Sequence, residues 1–183
     1  MLGQCPMFQT LFHRAILLVL MVVAIALADQ ITKKWAEKNL AYEFAPGQFY
    51  PQKDIPVVRN FFNLIYKENS AAAFSITSSV PDWFRKPFLL TVSILATLFF
   101  LVWYFRLKNP DNLILISFCL VMGGAIGNLI DRFRMGYVID FLDVYAGFIG
   151  YPNLHWPTFN VADSCIVLGA IGILLSSFQS KRA

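Results

Sequence analysis

The chain has 183 residues, 57% of them hydrophobic, 16% aromatic and only 14% charged, with 15 basic against 11 acidic residues and a formal net charge of +4. That balance excludes disorder, collagen and coiled coil, and a soluble globule of this size would leave large apolar patches wet. The composition predicts an integral membrane protein of a single domain, residues 1–183.

Residues Ala15 to Ala28 form an unbroken apolar run behind His13 and Arg14. Two readings fit it. Ala26-Leu27-Ala28 could end a cleaved signal peptide, or the run could be a retained first span of about residues 11–30. Three later spans favour retention, and the helix can continue past Asp29 into the interface.

A loop follows, with a small sheet expected over about residues 40–86. Pro56 to Ser75 is rich in β-branched and aromatic residues, which suits strands lying at the membrane surface. Val80 to Lys86, with Trp83 and Phe84 beside two cations, reads as a short interfacial helix.

The second span is expected over 87–107, with Pro87 in its first turn and Trp103, Tyr104, Arg106 and Lys108 at its end. The third is expected over 113–132, after the turn signal Asn109-Pro110-Asp111. The fourth is expected over 158–178, between Pro157 and Lys181-Arg182. The fold class is therefore mainly α: four transmembrane helices, with a small β-sheet cradle and a short interfacial helix in the first loop. Cations flank the spans on both sides, Lys33, Lys34 and Lys38 included, so charge counting alone gives no orientation.

The charge makes no basic stripe, and no nucleic-acid partner is expected. Cys5, Cys119 and Cys165 have neither disulfide pattern nor metal spacing. His13 and His155 have no nearby triad or metal partners in sequence, and no phosphate-cradling glycine loop follows a strand. No metal or organic cofactor is expected.

The informative residues are polar groups where lipid should forbid them, since an ionisable side chain at membrane depth costs roughly 2.5–3.5 kcal/mol on insertion scales. Asp29 and Lys33 stand at i,i+4, an ordinary helix pair. Asn69 precedes a run of small residues that could approach another backbone closely. In span three, Gly123 and Gly127 form a small-xxx-small face, and Asn128, Asp131 and Arg132 share one helical face. By themselves Asp131 and Arg132 read as a scaffolding ion pair. Asn160 and Asp163 share a face at the start of span four. Asp140 and Asp163 have no basic neighbour nearby in sequence. They are either two separate hydrogen-bonded acids or a facing pair that shares a proton and splits acid and base roles. A small proton carrier would also use intramembrane carboxylates, but no inverted repeat or paired broken spans support it.

Taken together, Asp29-Gln-Ile-Thr-Lys33, Asn69-Ser-Ala-Ala-Ala-Phe74, Gly123-Gly-Ala-Ile-Gly-Asn-Leu-Ile-Asp-Arg132, Val138-Ile-Asp-Phe141 and Phe159-Asn-Val-Ala-Asp163 resemble the ordered motif set of the signal peptidase II family. The resemblance covers about residues 15–178. It implies an intramembrane aspartic endopeptidase of bacterial inner membranes, with both termini cytoplasmic and its site toward the periplasmic or outer face. Such enzymes remove the signal peptide from prolipoproteins, cutting just before a diacylglyceryl-modified cysteine, and are targets of cyclic peptide antibiotics. The resemblance implies a catalytic dyad of Asp140 and Asp163, supported by Asp29, Lys33, Asn69, Asn128, Asp131, Arg132 and Asn160. Expected partners are lipid-modified prolipoproteins and membrane lipid, with the enzyme a monomer. The chain departs from the family at Ala71, where the pattern has glycine; if that position needs a positive φ, alanine is strained there. The extension through Arg14 also lies outside the match, and Cys5 forms no lipobox.

Overall fold

Four long apolar stretches, with a single internal proline among them, supply four helices long and apolar enough to cross a bilayer. The computed structural model describes residues 11–45, 48–51, 54–70 and 81–180. In chain order these are α1 (Leu11–Leu40), β1 (Ala41–Ala45), β2 (Gln48–Pro51), β3 (Ile55–Val58), β4 (Phe62–Asn69), α2 (Asp82–Arg106), α3 (Asn112–Met135), β5 (Val138–Ala146), a 3₁₀ turn (Gly147–Ile149), β6 (Tyr151–His155) and α4 (Val161–Ser180). The expectations for Cys5, Ala71, Val80 and Lys181-Arg182 fall outside the described residues.

At 30 residues, α1 is roughly 45 Å long against about 30 Å of hydrocarbon. Its last turns therefore project beyond the lipid. There Ala36 and Leu40, with Ala41, pack under the sheet against Tyr66, Ile139 and Phe141. At the opposite end of the bundle, Leu18, Tyr104, Leu115, Phe118, Cys119 and Met122 make a second apolar core. There Tyr104 Oη donates to the Arg14 carbonyl at 3.0 Å, and the Arg14 guanidinium donates to the Leu107 carbonyl at 3.0 Å.

The central helix is α3, the most buried of the four, which packs against α1, α2 and α4. Its glycines explain how it can touch two neighbours so closely. A Cβ on Gly123 would stand 2.8 Å from Ile25, and one on Gly127 would stand 2.6 Å from Asp29 Oδ2, so this pair faces α1. Gly124 points the other way, where a Cβ would collide with the Ala162 carbonyl oxygen of α4. Asp111 caps α3 by accepting from the Ile114 N–H at 2.7 Å, and Gly136 closes it at φ 78°.

Two elements differ from the sequence-based expectation. Residues Trp83 to Lys86 do not form a separate surface helix but the first turns of α2, with Pro87 inside it. Nothing between Asp82 and Pro87 breaks the helix, and an early proline forfeits only one backbone bond. The sheet is also not confined to the first loop. Its order is β3-β4-β5-β6, so half its strands come from the segment between α3 and α4. An apolar phrase as short as Val138 to Phe141 carries no signal for a strand partner so far away in sequence. In the β4–β5 ladder Phe62 faces Val144, Leu64 faces Leu142, Lys67 faces Asp140 and Asn69 faces Val138, with a bulge between Leu64 and Lys67. Phe159 then pins β5 to the approach of α4, its carbonyl accepting from the Phe141 and Leu142 N–H groups at 3.0 and 2.9 Å.

A methyl group at Gly124 would meet the Ala162 backbone and the Ile166 side chain of α4 at once, and the nearer of the two is backbone that cannot give way. Gly124→Ala should therefore destabilise the bundle by about 1–3 kcal/mol, read as a lower thermal unfolding midpoint in detergent. An unchanged midpoint would mean that α3 and α4 do not approach this closely.

Candidate active site

The site is assembled where α4 begins. Asn160 precedes the first helical residue, and its Oδ1 accepts from the Asp163 N–H at 2.9 Å. Asp163 Oδ2 in turn accepts from the Asn160 N–H at 3.3 Å. This reciprocal arrangement is a capping box, with Asn and Asp in the roles usually taken by Ser or Thr and Glu. It holds the Asp163 carboxylate at the helix N-terminus, where negative charge is favoured.

Because Asn160 Oδ1 is occupied by an N–H, its amide nitrogen must face the other way. That nitrogen donates to Asp140 Oδ1 at 2.8 Å, with the Ile139 carbonyl and Asn128 Oδ1 each at 3.2 Å. Asp140 Oδ2 accepts from Asn69 Nδ2 at 2.9 Å. Asn128 supplies the matching contact to the other acid, its Nδ2 donating to Asp163 Oδ1 at 2.7 Å. The two acids are thus joined through Asn160 and Asn128, which take donor positions on both.

Burial pushes the Asp140 carboxyl up to about 7; the Asn69 hydrogen bond opposes this, the Asp163 charge adds to it, and the Asn160 bond and Lys33 charge oppose it. Desolvation wins because Asp140 is only 1% exposed. Such a group keeps its proton up to about neutral pH, well beyond the point where an ordinary aspartate has lost it.

Beneath the acids lies a buried ionic cluster. The Lys33 ammonium contacts Asp29 Oδ2 at 2.7 Å, Asp131 Oδ2 at 2.7 Å and Asn128 Oδ1 at 2.9 Å, which uses its three protons. The remaining carboxylate oxygens are also met. Ala162 N–H donates to Asp29 Oδ1 at 2.9 Å, and Gln30 Nε2 donates to Asp131 Oδ1 at 2.7 Å. The expected Asp29–Lys33 pair is therefore present, but buried rather than interfacial.

Asp131 does not pair with Arg132. Consecutive helical residues point apart, and Asp131 turns its ion pair to Lys33 on α1, while Arg132 feels the charges of Asp163, Asp140 and Asp131 together. All nine residues singled out in the sequence are thereby placed in or beside one cluster. Two features were not foreseen. Gln30 completes the ionic cluster. Asp143 meets His155 Nδ1 at 2.7 Å and accepts from Asn63 Nδ2 at 3.3 Å. Gln30 was visible inside the first motif, whereas the Asp143–His155 contact depends on a β5–β6 hairpin that the sequence did not signal.

The model of the family described as signal peptidase (SPase) II matches residues 21–179. The chain belongs to the signal peptidase II family. Proteins named lipoprotein signal peptidase are similar to it along most of their length. The one from Syntrophotalea carbinolica is 41% identical over 169 residues, covering 92% of each chain. That of Xylella fastidiosa strain M12 is 39% identical, covering 92% of this chain and 93% of the relative. That of Syntrophus aciditrophicus is 34% identical, covering 91% and 95%.

Among solved structures, a bacterial membrane enzyme determined in meso at 2.3 Å superposes with a TM-score of 0.68 at 26% identity, covering 90% of this chain and 88% of that one. Signal peptidase II enzymes are peptidases that remove signal peptides from prolipoproteins, and this chain is a multi-pass membrane member of that family.

Lys33→Met would leave two buried carboxylates facing one another without their cation. The expected loss is about 3–5 kcal/mol of stability, seen as a fall in unfolding midpoint, with Asp29→Asn partly restoring it in the double variant. Equal midpoints for wild type and Lys33→Met would show that the cluster is not a stabilising element.

Proposed function

We propose that Asp140 and Asp163 are the catalytic dyad of an intramembrane aspartic endopeptidase, cutting prolipoproteins just before a diacylglyceryl-modified cysteine. The observation that carries this reading is the bridging of the two acids by Asn160, one acid buried on β5 and the other at the N-terminus of α4. The family match supplies the reaction class.

The raised affinity of Asp140 for its proton assigns it the acid role, and the charge-favouring position of Asp163 assigns it the base role. Asp163 takes a proton from a water molecule, whose oxygen attacks the scissile carbonyl carbon. Asp140 gives its proton to the carbonyl oxygen, producing a gem-diol. Collapse breaks the C–N bond as Asp163 passes its proton to the departing amine, and a gem-diol proton returns to Asp140. The products are a signal peptide with a free carboxylate and a lipid-modified cysteine with a free amine.

Asn69, Asn128 and Asn160 orient the acids. Asp29, Lys33 and Asp131 hold α1, α3 and α4 together, the last of which carries Asp163, and Arg132 sets the local field beside the dyad. The enzyme is a single domain of the bacterial inner membrane, with both termini cytoplasmic, the sheet and dyad toward the outer face, and acyl chains of the substrate lying against lipid-facing walls. It works as a monomer, and cyclic peptide antibiotics would compete at the dyad.

Asp140→Asn and Asp163→Asn should each lower cleavage of a lipid-modified precursor by at least about 10²–10⁴-fold, measured by gel shift with purified protein. Either variant cutting at the normal rate removes the dyad assignment. The acid role also fixes the alkaline limb of the pH profile. Raising pH through about 7 strips the Asp140 proton, so kcat/KM should fall with a midpoint there. A profile flat to pH 9 would exclude Asp140 as the proton donor.

A further inference from the structure

One cavity lies away from the acids, with a volume of about 520 Å³, and every residue lining it is outside the four helices. Lys67 and Asp143 form part of its wall on β4 and β5, Asp54 stands at another side, and His155, Trp156 and Thr158 close it along the segment leading into α4. The Asp143 carboxylate is 3% exposed and engaged by His155 and Asn63, so it braces the wall. Lys67 is exposed and makes no ion pair among the described residues, and Trp156 is 64% exposed.

The cavity shares β5 with Asp140. Lys67 stands opposite Asp140 in the β4–β5 register, and Asp143 lies three residues further along β5, roughly 10 Å away at about 3.3 Å per residue. An extended peptide leaving the scissile bond covers the same distance in about three residues.

We propose that this cavity is the subsite for the first residues of the mature protein, receiving about the second to fourth residues of the new N-terminus. The inference rests on the endopeptidase reading above and adds to it the part of the substrate that the site grips. The argument is one of matching chemistry. A signal peptide's apolar helix and the two acyl chains on the cysteine have no use for a chamber lined by a lysine, a carboxylate and a hydroxyl, because burying such groups against hydrocarbon leaves them unsatisfied. The mature segment is the polar part of the substrate, and it leaves the bond on the aqueous side. Lys67 and Thr158 can bond its carbonyls, Asp54 its N–H groups, and the exposed Trp156 face gives its side chains an apolar platform.

The test compares two lipid-modified precursors with the same signal peptide. One continues for at least six residues past the cysteine, and the other ends at an amidated cysteine. For the wild-type chain in lipid nanodiscs, the short precursor should show a KM higher on the order of fivefold to tenfold, the equivalent of one or two net hydrogen bonds. Trp156→Ala and Lys67→Met should raise KM for the long precursor by a similar factor while leaving both constants for the short one unchanged. Retained cleavage of the short precursor also shows that the variants are folded. The proposal is overturned if the wild type does not distinguish the two lengths, or if the variants weaken both precursors equally. Failure of the wild type to cut either precursor would instead overturn the endopeptidase reading.

Discussion

The buried Lys33 ammonium is the point on which the rest of the arrangement depends. A cation at this depth is tolerated only if its charge is balanced and its protons are all placed, and here three acceptors from two helices do both. One of those acceptors, Asp29, uses its other oxygen to hold the Ala162 N–H, which otherwise would be an orphan donor of the first turn of α4. A single ion cluster thereby fixes the relative height of α1, α3 and α4. Glycine at 127 is what lets Asp29 reach that position, since a Cβ there would press on the carboxylate.

The same cation sets which way an amide points. Lysine can only donate, so Asn128 must offer it the carbonyl oxygen, and the Asn128 nitrogen is then left to face Asp163. Asn160 is oriented by an equivalent rule, because its oxygen caps a helix N–H and its nitrogen turns to Asp140. Neither amide can be flipped without turning one acceptor against another. The polarity of the proposed active site thus follows from obligate donors several ångströms away. An apolar residue in place of Lys33 would change the acids' surroundings without touching either of them.

Much of this is legible in the amino-acid sequence itself. Four helices follow from apolar runs alone, and the shared faces of Asn128 with Asp131 and of Asn160 with Asp163 follow from helical spacing. Pairings across the molecule were not. The sequence suggested Asp131 with its neighbour Arg132, but the real partner, Lys33, comes from another helix. It also placed the whole sheet in the first loop, because a strand's ladder partner leaves no mark in the strand itself. For the same reason the Asp143–His155 contact and the cavity beside it were invisible, as was the Asn69 bond to Asp140, made 71 residues away. Periodicity reports which face a residue occupies and says nothing of what meets that face.

The two proposed catalytic acids occupy different kinds of structure, and that difference does chemical work. Two aspartates on adjacent helices would share one environment and compete for one proton by repulsion alone. Here Asp140 is buried on a strand, and desolvation favours its neutral form even against two amide donors. Asp163 sits half-buried in the first turn of a helix, where backbone N–H groups converge on a negative charge. In the proposed mechanism, backbone placement alone thus separates the roles of two chemically identical side chains. The sheet is then more than a cover. Without β5, the bundle would have no second environment in which to bury the proposed acid.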